Sequence, residues 1–194
     1  LHRRLQKGVD LKTLYFHIIK RTLVLILLGL IIYGLLEFNW EEMRWSSVLG
    51  RIGICYFVSS VLVLHTDWKV QTWMVAGILM LYWAAMTLIP VPGHGAGVLT
   101  PEGALSSYLD QLIIPGKLGL GLYDRQGVMS TFTSIATTLL GVLTGHWLTS
   151  NRSKRQKVLW ITGMGVACLI VGYLWGQIFL ISRNIWTSSF VIYA

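Results

Sequence analysis

The chain has 194 residues, of which 54% are hydrophobic and only 12% charged, with a mean hydropathy of +0.62. Soluble domains carry about 25% charged residues, so this composition excludes an ordinary water-soluble domain and makes lipid the solvent that fits. The net charge of +8 comes from cations placed beside apolar runs, which argues for membrane topology and against a nucleic-acid partner.

The length suits five or six spans of about 20 residues with their loops, an all-α, polytopic transmembrane helical bundle within a single domain segment. Leu1 to Lys12 reads as an amphipathic helix at the membrane surface. Spans are expected at about 14–36, 47–64, 70–90, 128–149 and 158–180, with the start of a sixth at 187–194. Because the sequence opens on Leu1 and ends inside the apolar run Phe190 to Ala194, a segment of a longer protein is expected.

Charge bias orients the layout. With the basic N-terminal segment cytoplasmic, eleven of the sixteen Lys and Arg residues lie on that side and four (Arg44, Lys117, Arg125, Arg183) on the other. Arg51 falls inside a span. The stretch 91–127 then forms an outer loop of about 37 residues with eight glycines, longer than ordinary connections. It reads either as the cap of a binding cavity or as a surface loop.

Arg51, about one turn inside the second span, is the first candidate for chemistry. A charge at that depth costs energy, so it either points into the bundle towards an anion or snorkels to the interface. None of the five histidines is paired at the spacing of a helical zinc motif, and no metal site is expected. Cys55 and Cys168 lie in apolar runs, where helix packing explains them better than a disulfide. The pairs Gly29/Gly34 and Gly141/Gly145 read as close helix contacts. Six hydroxyl residues from Thr131 to Thr144 either line a polar cavity or bond across helices. These residues are compatible with an enzyme, with a transporter or flippase for a sugar or glycolipid, or with a membrane scaffold.

Four sequence elements in order add a resemblance. Val48-Leu49-Gly50-Arg51-Ile52-Gly53 with Tyr56-Phe57, then Tyr108-Leu109-Asp110-Gln111, then Tyr123-Asp124-Arg125-Gln126-Gly127 followed by Ser134 to Gly145, and finally Asn184-Ile185-Trp186-Thr187-Ser188-Ser189-Phe190 resemble the heparan-α-glucosaminide N-acetyltransferase family and its bacterial homologues. The resemblance implies a transmembrane enzyme, in bacteria of the inner membrane, that takes acetyl-CoA as co-substrate from the cytoplasmic side. It would acetylate the amine of a glucosamine-type sugar on the far side. It further implies a donor-binding role for Arg51, an acceptor-region role for Asp124, Asn184 and Trp186, and a homodimer. The family's catalytic histidine would lie upstream of Leu1, so no catalytic residue is expected here and residues 1–194 alone are expected to be inactive. The family's Pro-Glu-Gly step reads Arg125-Gln126-Gly127 in this chain, with a carboxylate nearby in sequence at Glu102. That departure points to a cell-wall or catabolic amino sugar as acceptor rather than heparan sulfate.

Overall fold

The computed structural model describes residues 10–39 and 42–194. The expected surface helix falls largely on residues 1–9, outside the described residues. Its last two positions, Leu11 and Lys12, instead open the first long helix, where the Asp10 side chain accepts the Lys12 N–H at 3.4 Å.

The described residues form seven helices: α1 (Leu11–Ile32), α2 (Val48–His65), α3 (Trp68–Leu88), α4 (Leu105–Ile113), α5 (Val128–Thr149), α6 (Lys154–Gly176) and α7 (Ser188–Tyr193). Among the described residues there is no strand, only two isolated bridges, Arg44 with Gly116 and Val91 with Gly95. Helices α1, α2, α3, α5 and α6 are each long and apolar enough to cross a membrane. The first ends earlier than the apolar run suggests, because Gly34 takes φ +99° and turns the chain into a short 3-10 segment, Leu35–Glu37.

Local signals set the other boundaries. The Ser47 hydroxyl accepts the Gly50 N–H at 2.8 Å and starts α2, and a Ser153/Gln156 capping box starts α6. The outer stretch 91–127 is not a bare loop, since it contains α4. That nine-residue helix is too short to register as a span and is flanked by Gly- and Pro-containing turns.

With apolar side chains equally at home in lipid, helix association rests on close packing and interhelical hydrogen bonds. Gly29 and Gly53 allow α1 and α2 to touch. A Cβ at Gly29 would lie 2.2 Å from the Ser47 Oγ, and one at Gly53 would lie 3.2 Å from the Thr22 carbonyl oxygen. At Gly172, α6 meets α7, where a Cβ would come within 2.6 Å of the Tyr193 backbone nitrogen. Gly141 and Gly145 behave differently from the sequence expectation: nothing lies within 4 Å of a Cβ built at either.

Two apolar clusters form the core. One joins Cys55 of α2, Val75 and Leu79 of α3, Ile135 and Leu139 of α5, and Val191 of α7. The other gathers Tyr82, Met86, Ala104, Phe179 and Ile185 at the end of the bundle where the segments 42–47, 89–127 and 177–187 meet. We call this the motif end. Tyr82 is fully buried there and donates its hydroxyl to the Ile185 carbonyl at 2.6 Å. By contrast, α6 buries only Gly172 and leaves Leu159, Ile170 and Leu174 exposed, as a lipid-facing helix would.

Replacing Gly53 by Leu should force the Thr22 backbone and Leu25 apart and destabilise the protein by about 1–3 kcal/mol. Gly77→Ala, at a site with open space around it, should leave stability unchanged or raised by about 0.5–1 kcal/mol. Thermal unfolding in detergent measures both, and equal midpoints for the two variants would contradict this packing.

Candidate functional site at the motif end

Arg51 enters the site from the first turns of α2. It is only 9% exposed, which settles its direction: the side chain points inward rather than snorkelling to the interface. Its Nη2 donates to the Arg125 carbonyl and to the Ser130 hydroxyl, and its guanidinium lies 5.0 Å from the centroid of the Trp186 ring. Among the described residues no carboxylate forms an ion pair with it, and its Nε is buried without a hydrogen-bond partner. This is a desolvated cation held by neutral groups, an arrangement that keeps attraction for an anion in reserve.

Asp124 is the opposite case. Buried in the turn before α5, its carboxylate accepts from Arg44 Nε at 2.7 Å and Arg44 Nη2 at 2.5 Å. It also accepts from the backbone N–H of Gly119 and of Gln126, each at 2.9 Å. Burial alone would raise its pKa, but the Arg44 hydrogen bond and the two backbone donors outweigh burial and hold it below the ordinary carboxylate range. The Asp124 hydrogen bond in turn raises Arg44 further. Gly119 makes the pair possible, since a Cβ there would sit 2.4 Å from Arg44 Cζ. Gln126 stands where the family's carboxylate is expected, and its Oε1 accepts from Arg44 Nη2 at 2.5 Å. The amide keeps the hydrogen bond without adding a second negative charge.

Trp186 reaches the cluster from the far end of the sequence. Its φ of +53° is strained for a bulky residue. Contacts on several sides hold it there: its carbonyl accepts the Thr133 hydroxyl at 2.7 Å, and its Nε1 donates to Thr137 Oγ1 at 3.2 Å. Phe190 packs edge-on at 5.2 Å. Of the four sequence candidates, Arg51, Asp124 and Trp186 are thus brought to one end, whereas Asn184 is exposed on the 177–187 connection.

Sequence reasoning passed over Arg44 and assigned no role to Asp110. Asp110, on α4, is 1% exposed and lies beside the Asp124 turn. Its only sequence signal was membership in one of the four matching elements.

Other candidates fall elsewhere. His65 pairs with the Tyr15 hydroxyl at 2.5 Å, and His94 is exposed on the turn at 91–95. Among the described residues no group of three or more His, Cys, Asp or Glu side chains could hold a metal. Most hydroxyls of α5 bond their own helix, as in Ser134 to the Ser130 carbonyl at 2.7 Å and Thr144 to the Leu140 carbonyl at 2.9 Å. Thr131 also lines a cavity of about 420 Å³ whose walls include Ile26, Leu30, Arg51, Ile54 and Gln126. It is an apolar pocket with one buried cation, suited to orienting a ligand by a single charged or strongly polar group.

Among the described residues, five helices of membrane-crossing length with a polar cluster at one end define a polytopic α-helical membrane protein. No protein-family model matches the sequence. The chain is 27% identical to heparan-alpha-glucosaminide N-acetyltransferase of Mus musculus and 26% identical to that of Homo sapiens, each over 96% of its own length. These matches bear out the resemblance read from the sequence: the chain is similar to the heparan-alpha-glucosaminide N-acetyltransferases over nearly all of its own length. It spans about 37% of the length of either relative.

Asp124→Asn should cost about 3 kcal/mol, the lower end for breaking a buried pair, because Arg44 remains 23% exposed. As Asp124 titrates below its unfolded value, the stability it contributes is present above about pH 4 and lost as pH falls further. Unfolding followed from pH 7 to pH 3 should therefore show a steeper acid loss in the parent protein than in Asp124→Asn. Parallel curves would contradict the role given to the pair.

Proposed function

We propose that the intact protein transfers the acetyl group of acetyl-CoA to the amine of a glucosamine-type sugar across the membrane. The observation that carries this reading is the convergence at one end of Arg51, Asp124 and Trp186. They come from three separate family-like sequence elements, in a chain whose relatives are named N-acetyltransferases.

The positive-inside bias supports a cytoplasmic basic N-terminus and an outward-facing motif end, and the resemblance to bacterial homologues adds a bacterial inner membrane. Acetyl-CoA enters from the cytoplasm and the sugar meets the acetyl group at the motif end. A neutral amine attacks the thioester carbonyl, a C–N bond forms, the C–S bond breaks and the coenzyme leaves as its thiol. The proton released by the amine needs a base. The family resemblance puts that base on a histidine-bearing loop preceding Leu1.

Within this chain we assign Arg51 to the donor, where a desolvated guanidinium can hold the coenzyme's phosphates or the thioester oxygen that gains charge during attack. Trp186 offers its ring to the apolar face of the sugar. Asp124, whose oxygens are already occupied by Arg44 and backbone N–H groups, shapes the acceptor region. Asn184 presents its amide from the exposed connection. Gln126 in place of a carboxylate supports an acceptor other than heparan sulfate, such as a cell-wall or catabolic amino sugar. A homodimer is part of the same family-based reading.

The test uses the intact protein in liposomes, with labelled acetyl-CoA on the side of the basic segment and a panel of amino sugars on the other. Label should appear on the glucosamine amine, and Arg51→Ala should lower transfer by about 100-fold or more, as expected for loss of about 2.7 kcal/mol of transition-state stabilisation. Sugar moved across the bilayer without acetylation would overturn the reading in favour of a transporter.

A further inference from the structure

The turn that carries Asp124 and Arg125 closes on itself through the Gly127 N–H, which donates to the Asp124 carbonyl at 3.0 Å, and it is also tied from outside. Asp110 of α4 reaches under it with both carboxylate oxygens. Oδ1 accepts the Val128 N–H at 2.9 Å, at the first residue of α5, and Oδ2 accepts the Asp124 N–H at 3.2 Å. One side chain therefore staples the two ends of a five-residue turn, 124–128.

Gly127 lies directly over the staple. A Cβ there would fall 2.1 Å from Asp110 Oδ2 and 2.3 Å from Oδ1. The glycine is required by the carboxylate beneath it rather than by its own backbone angles, since its φ is −64°. What the staple fixes is the polar machinery itself: the Arg125 carbonyl receives Arg51 Nη2, and the Asp124 carboxylate receives Arg44.

We propose that Asp110 is the positioning residue of the motif end, and that its ionised carboxylate assembles the 124–128 turn and, through it, Arg51. The activity readouts below rest on the acetyltransferase reading, whereas the exchange readout does not.

The charge state of Asp110 changes what it can hold. Ionised, it is an acceptor only and satisfies both N–H groups. Protonated, one oxygen becomes an O–H donor and a weaker acceptor, facing an N–H that also needs an acceptor. Burial pushes Asp110 up to about 6, with the two backbone N–H groups and the Arg51 charge pulling the other way. The ionisable groups facing it are Arg51 from α2, Tyr82 from α3 and Asp124 from the turn. An arginine stays charged between pH 5 and 7, a tyrosine stays neutral there, and Asp124 is held low by Arg44. Asp110 is thus the group in this cluster that changes charge in that range. The sign for the fold is the reverse of the sign for the site: the neutral acid favours folding below about pH 6, while the ionised acid orders the turn above it.

The proposal is tested in the intact protein by exchange of the Asp124 and Val128 backbone amides, corrected for the intrinsic pH dependence of exchange, alongside a pH profile of acetyl transfer. In the parent protein, protection of both amides should fall about tenfold from pH 7 to pH 5, a change of about 1.4 kcal/mol. The kcat/KM of transfer should show an acid limb centred near pH 6. Asp110→Asn, which places an NH2 against one of the N–H groups, should show low protection at both pH values and no acid limb. Gly127→Ala, which displaces the carboxylate, should reproduce that pattern. Flat protection in the parent from pH 5 to 7, or an acid limb that survives in Asp110→Asn, would overturn the proposal. If Asp110→Asn fails to fold, the parent's exchange profile and Gly127→Ala decide. If no acetyl transfer occurs at any pH, the acetyltransferase reading fails and amide exchange alone judges the staple.

Discussion

A carboxylate that has left water must find its hydrogen bonds in the protein, and at the motif end that requirement ties two distant stretches of chain together. Asp124 draws in Arg44 from the α1–α2 connection, the backbone of Gly119 and the backbone of its own turn. Arg44 is also bridged through its backbone to Gly116 and packs over the Tyr33 ring at 5.0 Å. If the pair is removed, the Arg44 stretch keeps only its backbone ties to Gly116 and Lys117 and its bond to Gln126 on the 89–127 segment.

Arg51 and Asp124 solve the burial of charge in different ways. Asp124 is matched by a cation and two N–H donors, and so is electrostatically finished. Arg51 has a carbonyl, a hydroxyl and an aromatic face around it, but no carboxylate among the described residues. Buried cations are expensive in an apolar setting, and one that touches no carboxylate directly, with Asp110 and Asp124 beyond ion-pair distance, suits a ligand that brings its own negative charge. The strained backbone at Trp186 fits the same picture, because strain persists where surrounding contacts over-determine it, and such places cluster at functional sites.

The membrane architecture could be read from the sequence because spans of this length announce themselves through uninterrupted apolar runs, and Arg51 stood out because it breaks one. Recurrent motif elements marked Asp124 and Trp186. What the sequence hid was pairing. Arg44 sits just ahead of the α2 cap and looks like any interfacial loop charge. Only the fold brings it to a residue 80 positions away. The partners of Asp110 are backbone N–H groups, which carry no side-chain signature. The hydroxyl-rich stripe of α5 left its alternatives open for a related reason: a Ser or Thr in a helix can satisfy itself on its own i−4 carbonyl, so composition alone does not separate cavity-lining hydroxyls from bonded ones. Helix α4 escaped notice because nine residues among glycines and prolines lack the length that makes a span legible.

The central claim is that the motif end is where donor and acceptor meet. A structure of the intact protein with acetyl-CoA and an unreactive amino-sugar analogue bound tests it most directly. The account predicts the sugar against Trp186 beside the Asp124 turn, with the coenzyme contacting Arg51. Both ligands bound elsewhere, with the Arg51–Trp186 cluster closed and dry, would contradict it.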